Sequence, residues 1–383
     1  MIAIVNATIN TITQGIIEQG TLLIEGSKIK AVGRDIPIPE GAQVIDATGK
    51  VVLPGFIDAH GHAGVDEEGI GPAGWDYNES VDPVTPSLRA IDGINPQEQG
   101  LKDAYEGGIT AMCIVPGSAN VIGGEGVVIR TYGRIVDEMV IKSGGLKVAF
   151  GENPKRVYQG QKKSPVTRMA IAALLRENLV KAQNYLKKLE EAQSDPSKAP
   201  ERDLKMEMLV RVLRKEIPLR AHAHRADDIV TAVRIAEEFD LDILIEHCTE
   251  GHQIADFLAA RNIPAIVGPT LTSRSKVELK DKTYATPGVL HRAGVKIAFT
   301  LDHPVVPVNY LPVTAALAVK EGLPEAAALE AMTINPAQIL GIDDRFGSLE
   351  AGKEADLVIW SGNPLDIRSK PERVFIAGKS VVE

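Results

Sequence analysis

The sequence predicts an α/β fold: a (β/α)8 TIM barrel with a small β-sandwich domain made from both chain termini. Short apolar runs, each followed by a helical pattern, fill the middle of the chain. This texture is typical of parallel strands that are buried on both faces. Both ends instead carry short β-type runs separated by turns. With 383 residues, the chain also exceeds the size that one hydrophobic core usually reaches.

Residues 1–53 and 345–383 are expected to form the small β domain. The strand-like runs in these segments include Ile2 to Val5, Thr21 to Glu25, Ile29 to Val32, Gln43 to Asp46, Ala355 to Trp360 and Arg373 to Lys379. The two ends share the same texture of short runs and turns, and the segment between them differs from both. We therefore expect the two ends to build one composite domain.

Residues 54–344 are expected to form the barrel, because eight strand candidates alternate with helical patterns in this part of the chain. The candidates are Val51 to Ile57, Thr110 to Val115, Val127 to Ile129, Leu146 to Gly151, Leu219 to His224, Asp242 to His247, Ile263 to Val267 and Val295 to Thr300. The charged helical segment at residues 164–216 is expected to be an insertion between two strands, with its Lys and Glu side chains in solvent.

Composition and charge exclude several kinds of partner. The net charge of −9 would repel a phosphate backbone, so no nucleic-acid partner is expected. No apolar segment approaches the roughly 20 residues that cross a bilayer, so no membrane partner is expected either. The N-terminus has no basic stretch before its apolar residues, which favours a cytoplasmic location. Cys113 and Cys248 lie in apolar runs and are expected to be reduced.

Residues that bind metals fall at the ends of the predicted barrel strands. His60 and His62 are two residues apart after the first strand, which places both imidazoles on the same side of an extended chain. His222, His247 and Asp302 end three later strands. Barrel enzymes carry their catalytic groups at this end, and unpaired groups of this kind would be costly to bury without a cation. The sequence therefore predicts a divalent metal site, with buried core histidines as the competing explanation.

Two stretches resemble a known family. They are Pro54-Gly55-Phe56-Ile57-Asp58-Ala59-His60-Gly61-His62, and Asn335-Pro336-Ala337 followed by Gly347-Ser348-Leu349-Glu350-Ala351-Gly352-Lys353-Glu354-Ala355-Asp356-Leu357-Val358. On these residues the chain resembles the amidohydrolase superfamily, and within it the imidazolonepropionase-related branch. The resemblance implies that His60 and His62 are first-strand ligands and that His222 and His247 are fifth- and sixth-strand ligands. It also implies that Asp302 is both the eighth-strand ligand and the proton shuttle.

The fourth-strand group departs from the family pattern. That position often holds a carboxylated lysine that bridges two metal ions, or a glutamate in some branches. Here Glu152 stands at the predicted strand end, with no lysine in its place. Glu152 is therefore the expected ligand. The competing interpretations are that Glu152 contacts substrate or that Lys155 is the modified residue, so both one and two metal ions are compatible with the sequence.

A second departure concerns the residues after the fifth strand. Family deaminases typically carry a glutamate three residues after the fifth-strand histidine, where this chain has Arg225. Arginine cannot serve as that acid at neutral pH, which disfavours deamination of a nucleobase. His224 either orients a substrate oxygen, as a catalytic residue beside His247 and Asp302, or packs structurally.

The predicted substrate-binding residues are Arg225, Arg156 and Tyr158. Arginines in this position can bind a carboxylate bidentately, and surface ion pairs are the alternative.

The main hypothesis is a metal-dependent amidohydrolase that cleaves a non-peptide C–N bond in a small cyclic amide or N-acyl compound by metal-activated water. Zn²⁺ is the default ion. One alternative is a metal-dependent dipeptidase of the prolidase kind, and another is a non-catalytic ligand-binding barrel. The expected partner is a small-molecule substrate, and the long helical segment offers a surface for a homo-oligomer.

Overall fold

The structure, a computed structural model, describes all residues from Met1 to Glu383. The strands are β1 (Ile2–Asn10), β2 (Ile16–Glu25), β3 (Lys28–Gly33), β4 (Gln43–Asp46), β5 (Val51–Pro54), β6 (Phe56–Gly61), β7 (Ile109–Ile114), β8 (Ile122–Arg130), β9 (Val140–Ala149), β10 (Leu219–Ala223), β11 (Ile243–His247), β12 (Ala265–Val267), β13 (Ile297–Phe299), β14 (Leu357–Trp360), β15 (Pro371–Ile376) and β16 (Lys379–Val382). The α-helices are α1 (Gln99–Glu106), α2 (Val136–Met139), α3 (Glu152–Gly160), α4 (Arg168–Ser194), α5 (Leu204–Leu213), α6 (Ala226–Phe239), α7 (Ala255–Ala259), α8 (Thr286–Arg292), α9 (Leu311–Lys320), α10 (Glu325–Glu330) and α11 (Ile334–Leu340).

Strands β6 to β13 form the barrel, each hydrogen-bonded to the next in chain order. The first and last strands come together at the end of the barrel where β6 finishes. The His62 N–H donates to the His303 carbonyl at 2.9 Å, and the Thr300 hydroxyl donates to the His60 carbonyl at 2.5 Å. These contacts nearly close the sheet, and the predicted barrel class is confirmed.

The third barrel strand is the main difference from a regular (β/α)8 pattern. β8 runs antiparallel to both β7 and β9, and it extends well beyond the predicted run at residues 127–129. The connection at residues 115–121 is shorter than the dozen or more residues that a parallel crossover needs. The chain therefore turns back as a hairpin, and no helix separates β7 from β8.

Both chain ends contribute to a second sheet, as predicted. Its order is β16-β15-β14-β5-β1-β2-β3, with β4 paired beside β1. β5 is the link between the termini, because it pairs parallel with β1 and antiparallel with β14. Ile4 and Ile9 of β1 pack with Leu22 and Leu357 in a core that belongs to this sheet.

The charged helical segment connects β9 to β10. Ile171, Leu175 and Leu179 recur every fourth residue along α4 and are buried in the main core, whereas Lys187 and Lys188 are exposed. The segment therefore supplies the helical cover between these two strands. Although α4 contains 27 residues, none of the helices combines the length and apolarity needed to cross a membrane.

Candidate metal centre

The first group of metal-competent side chains joins the first and last barrel strands, and we call it the Asp302 cluster. It consists of His60 and His62 from β6 and Asp302, which follows β13. Asp302 Oδ1 lies 3.0 Å from His60 Nε2 and 3.1 Å from His62 Nε2. The structure therefore brings these three predicted ligands together.

The second group is the triple-histidine cluster of His222, His224 and His247, at the ends of β10 and β11. The ring centroids are 4.3 Å apart for His222 and His247 and 4.7 Å apart for His224 and His247. The two clusters adjoin, since the His247 ring centroid lies 4.9 Å from that of His60. Burial lowers the pKa of His222 and His224 well below the ordinary value and lowers the pKa of His247 to about 3. These imidazoles are therefore neutral, which is the form that binds metals.

Backbone carbonyls fix the direction of two of the imidazoles. His62 Nδ1 lies 2.8 Å from the Val115 carbonyl, and His247 Nδ1 lies 2.8 Å from the Gly268 carbonyl. A carbonyl only accepts, so Nδ1 carries a proton in both rings, and Nε2 is the nitrogen left to bind a metal ion. His222 Nδ1 is buried without a hydrogen-bond partner. This orphaned nitrogen and the neutral nitrogen and carboxylate donors fit a divalent ion such as Zn²⁺.

Two of these residues adopt strained backbone conformations. The φ angle is +70° at His247 and +53° at Asp302, a region that few non-glycine residues occupy. Such strain costs on the order of 1–3 kcal/mol and is typical of active sites. Burial opposes the charge of Asp302, but hydrogen bonds from His60 and His62 outweigh it and hold the pKa of Asp302 well below its ordinary value. The carboxylate is therefore ionised.

The fourth barrel strand contains a lysine inside the strand, two residues before the strand ends. Lys147 of β9 is buried; its Nζ pairs with Glu246 Oε2 and lies 3.5 Å from His60 Nδ1. Glu246 Oε1 also lies 2.9 Å from His60 Nδ1 and 2.8 Å from Arg220 Nε. We call Lys147, Glu246 and Arg220 the buried ion network. The sequence feature that could have identified this network is a charged residue inside an apolar strand, because a buried charge requires a partner of opposite charge.

Glu152 lies outside both clusters. It is the first residue of α3, and its N–H donates to Glu278 Oε2 at 3.0 Å. The chain has already left the strand at Gly151, whose φ is +84°, so Glu152 does not follow the inward direction of the strand residues. Lys155 lies one turn further along the same helix. A ligand role for Glu152 stays a prediction.

A cavity of about 300 Å³ opens over the two clusters, and His62, His224 and Asp302 contribute to its lining. A larger groove of about 750 Å³ lies at the opposite end of the barrel, around Pro218 and Pro264 at the strand starts. None of the metal-competent residues lines that groove. The cavity of about 300 Å³ over the two clusters is therefore the candidate active site.

Arg156 is the one predicted substrate-binding residue that lines this cavity. Arg225 instead pairs with Asp227 on the surface at 2.8 Å, which is the alternative left open by the sequence. Tyr158 is fully buried, and its hydroxyl donates to Asn120 Oδ1 at 2.5 Å. As placed, Arg225 and Tyr158 do not reach the cavity.

Two residues in the loop after β12 were missed by the sequence analysis. Lys276 Nζ lies 3.3 Å from His224 Nε2 and 3.2 Å from Glu278 Oε1. Both residues belong to a polar stretch with no helical or strand period, so nothing in the sequence distinguishes them from surface charges. Only the folded loop brings them to the triple-histidine cluster.

Comparison with known proteins identifies close similarities along the whole chain. The chain is 30% identical to the amidohydrolase tasK of Hapsidospora irregularis over 387 residues, covering 94% of this chain and only 39% of that protein. It is 25% identical to imidazolonepropionase of Pseudomonas fluorescens, covering 92% of this chain and 90% of that protein. A crystal structure of an amidohydrolase from Thermotoga maritima is 50% identical, with 100% of both chains covered and a TM-score of 0.97.

The profile of the Amidohydrolase family matches residues 51–382. This range contains every barrel strand, both clusters and the C-terminal part of the second sheet. The chain therefore belongs to the amidohydrolase family.

Proposed function

We propose that this chain is a metal-dependent hydrolase that cleaves a non-peptide C–N bond in a small molecule, a cyclic amide or an N-acyl compound. The observation that carries the proposal is that the Asp302 cluster and the triple-histidine cluster adjoin beneath one cavity. Family membership and the similarity to imidazolonepropionase support the same class of reaction.

The proposed ligands are His60, His62, His222, His247 and Asp302, with Zn²⁺ as the expected ion. When bound, a divalent ion supplies Lewis acidity and lowers the pKa of a water molecule towards neutrality. For the fourth-strand position Glu152 stays the predicted ligand; Lys147 lies beside His60 inside the barrel, and its ammonium group pairs with Glu246. Whether one or two ions bind is part of the same proposal and is decided by the metal content.

Asp302 is the proposed proton carrier. Its carboxylate lies between His60 and His62 and lines the cavity, so it can accept a proton from water and deliver it to the leaving nitrogen. His224 is the proposed partner for a substrate oxygen. Its ring lines the cavity, with Nδ1 2.8 Å from the Thr249 hydroxyl and Nε2 3.3 Å from Lys276 Nζ.

Dipeptide hydrolysis is the second candidate, and Arg156 on the cavity wall favours it, because an arginine can hold a terminal carboxylate.

A cytoplasmic location and a homo-oligomer stay predictions.

The test is an assay for released amine and ammonia with metal-loaded protein and three substrate classes: cyclic amides, N-acyl amino acids and dipeptides. We expect turnover of a non-peptide amide, and a loss of at least about 100-fold in kcat/KM in Asp302→Asn. Asp240→Asn is the matched control, because Asp240 is exposed in a left-handed position that asparagine tolerates. Preferential turnover of dipeptides would favour the second candidate. No hydrolysis in any class would favour the ligand-binding barrel.

A further inference from the structure

We propose that Lys276 and Arg156 form an anion-binding wall in the cavity and that the amide cleaved there carries a carboxylate. This inference rests on the proposed function, because it names the substrate class of the same site. It is carried by two cationic side chains that line the cavity: Lys276 beside the triple-histidine cluster, and Arg156 without an ion-pair partner.

Lys276 holds its ammonium group beside the triple-histidine cluster. Its Nζ donates to Asn153 Oδ1 at 3.2 Å and lies 3.3 Å from His224 Nε2. The side chain lines the cavity and is 21% exposed. Its positive charge is therefore accessible to a ligand in the cavity.

Glu278 holds the ammonium group from behind the cavity wall. Its side chain is 2% exposed, and Oε1 lies 3.2 Å from Lys276 Nζ without hydrogen-bond geometry, so this buried oxygen is left without a hydrogen bond. Its other oxygen accepts the N–H of Glu152 at 3.0 Å. Glu278 does not line the cavity. The buried carboxylate thus positions Lys276 beside the cavity.

Arg156 lies on the same side of the cavity as the Asn153 contact. The two residues are three positions apart on α3, so they share one face of the helix, and both line the cavity. Arg156 is exposed and takes part in none of the chain's ion pairs. In contrast, Arg168 and Arg225 are each held by a neighbouring aspartate. The unpaired guanidinium can bind a carboxylate bidentately.

The charges on the cavity wall orient such a ligand. Asp66 lines the cavity on the His62 side, where it repels a substrate carboxylate. The anion-binding wall attracts the carboxylate and leaves the scissile carbonyl facing the two clusters. A neutral ligand would cover the Arg156 guanidinium without supplying an acceptor, and sites built in this way discriminate strongly against such ligands.

A purely structural role for Lys276, as counter-charge to Glu278, is the competing explanation. Both explanations expect Lys276→Gln to lower thermal stability. Only the anion-binding wall expects the same substitution to change discrimination between charged and neutral ligands. Arg156→Gln separates the two further, because Arg156 has no buried partner.

The experiment is a ligand-observed NMR titration of the purified full-length protein with levulinate and with methyl isoamyl ketone. Levulinate has a methylene in place of the amide nitrogen of an N-acetyl amino acid, so C–N hydrolysis cannot consume it and the result does not depend on turnover. The ketone has the same shape with an isopropyl group in place of the carboxylate. We expect levulinate to bind at least about tenfold more tightly, and the preference to fall about tenfold in Lys276→Gln and in Arg156→Gln.

Two controls complete the test. Lys276→Arg should retain the preference, and Lys280→Gln, an exposed lysine of the same loop, should not change it. The proposal is overturned if levulinate binds no more tightly than the ketone, or if neither ligand binds detectably. It is also overturned if the preference for levulinate survives in Lys276→Gln. An anion preference without any amide turnover would contradict the proposed function and leave the anion-binding wall standing. Turnover of neutral amides without anion preference would support the proposed function and overturn the anion-binding wall.

Discussion

Glu246 is the single carboxylate that faces three basic side chains inside the barrel: Lys147, Arg220 and His60. Every member of this group is buried. Removing its negative charge would leave the buried Lys147 and Arg220 without an ion-pair partner. Glu246→Gln is therefore expected to lower the free energy of unfolding by about 3–5 kcal/mol, measured by urea denaturation.

Glu237→Gln is the control, because Glu237 is exposed and its ion pair with Arg261 contributes about 0–1 kcal/mol. Equal effects of the two substitutions would contradict the assignment of Glu246 as the essential counter-charge.

The two thiols are expected to be inert in the folded protein. Burial raises the pKa of Cys113 to about 11 and that of Cys248 to about 12, so neither forms a thiolate at about pH 8. A thiol-exchange reagent should label neither cysteine until denaturant is added, and both afterwards. Because the folded pKa values exceed the ordinary value of 9.0, their contribution to stability is present below pH 9.0 and is lost as the pH rises towards 11. Rapid labelling of the native protein would contradict this burial.

The clustered side chains were predictable from the sequence where position along a strand decides their direction. His60, His62, His222, His247 and Asp302 all follow from strand ends. The positions of Lys147 and Glu246 were not predictable, because a charged residue inside a strand is interpretable only when its partner on another strand is known. The position of Lys276 was not predictable either, since the sequence of its loop has no helical or strand periodicity that fixes the path of the chain.

At the scale of elements, Arg130 links the barrel to the second sheet. It lies at the end of β8, and its guanidinium binds Asp356 at 3.1 Å and Glu354 at 2.9 Å, just before β14. Glu354 has other cationic partners, Lys28 and Arg345, but the buried Asp356 has Arg130 as its ion-pair partner. Arg130→Ala is expected to cost about 3 kcal/mol of unfolding free energy, because it leaves that carboxylate unpaired.

The matched control for this substitution is Arg176→Ala, which breaks an ion pair with Glu238 at the surface and should cost about 0–1 kcal/mol. If Arg130→Ala is equally mild in the same urea titration, β8 and β14 are not coupled through this contact.

The order of the strands was predictable, whereas the direction of β8 was not. Buried apolar runs identify strands that are covered on both faces, but they carry no information about the direction of a strand. The direction of β8 follows from the connection at residues 115–121, which is too short for a parallel crossover. The boundaries of β8 were also underestimated, because Gly123, Gly124 and Gly126 resemble a turn cluster although they belong to the strand.

At the scale of the whole molecule, the barrel and the second sheet share apolar contacts. Trp360 of β14 is buried in the main core, and its ring centroid lies 5.3 Å from that of Phe56 in the first barrel strand. The other tryptophan, Trp75, is exposed. In Trp75→Phe, the fluorescence of Trp360 should therefore report on the junction alone and should change in the same urea transition as the far-ultraviolet circular dichroism. Two separated transitions would show that the sheet unfolds independently of the barrel.

The Asp302 cluster and the triple-histidine cluster are proposed to hold a divalent ion together. Metal content per chain, measured by plasma mass spectrometry on protein purified without chelator, tests this directly. The double variant His60→Ala/His62→Ala is compared with His252→Ala, whose imidazole bonds to Thr286 away from the cavity. We expect one or two equivalents in the native chain and in the His252 variant, and a loss of at least one equivalent in the double variant. A native chain that neither contains metal nor takes up added Zn²⁺ or Mn²⁺ would contradict the proposed metal site.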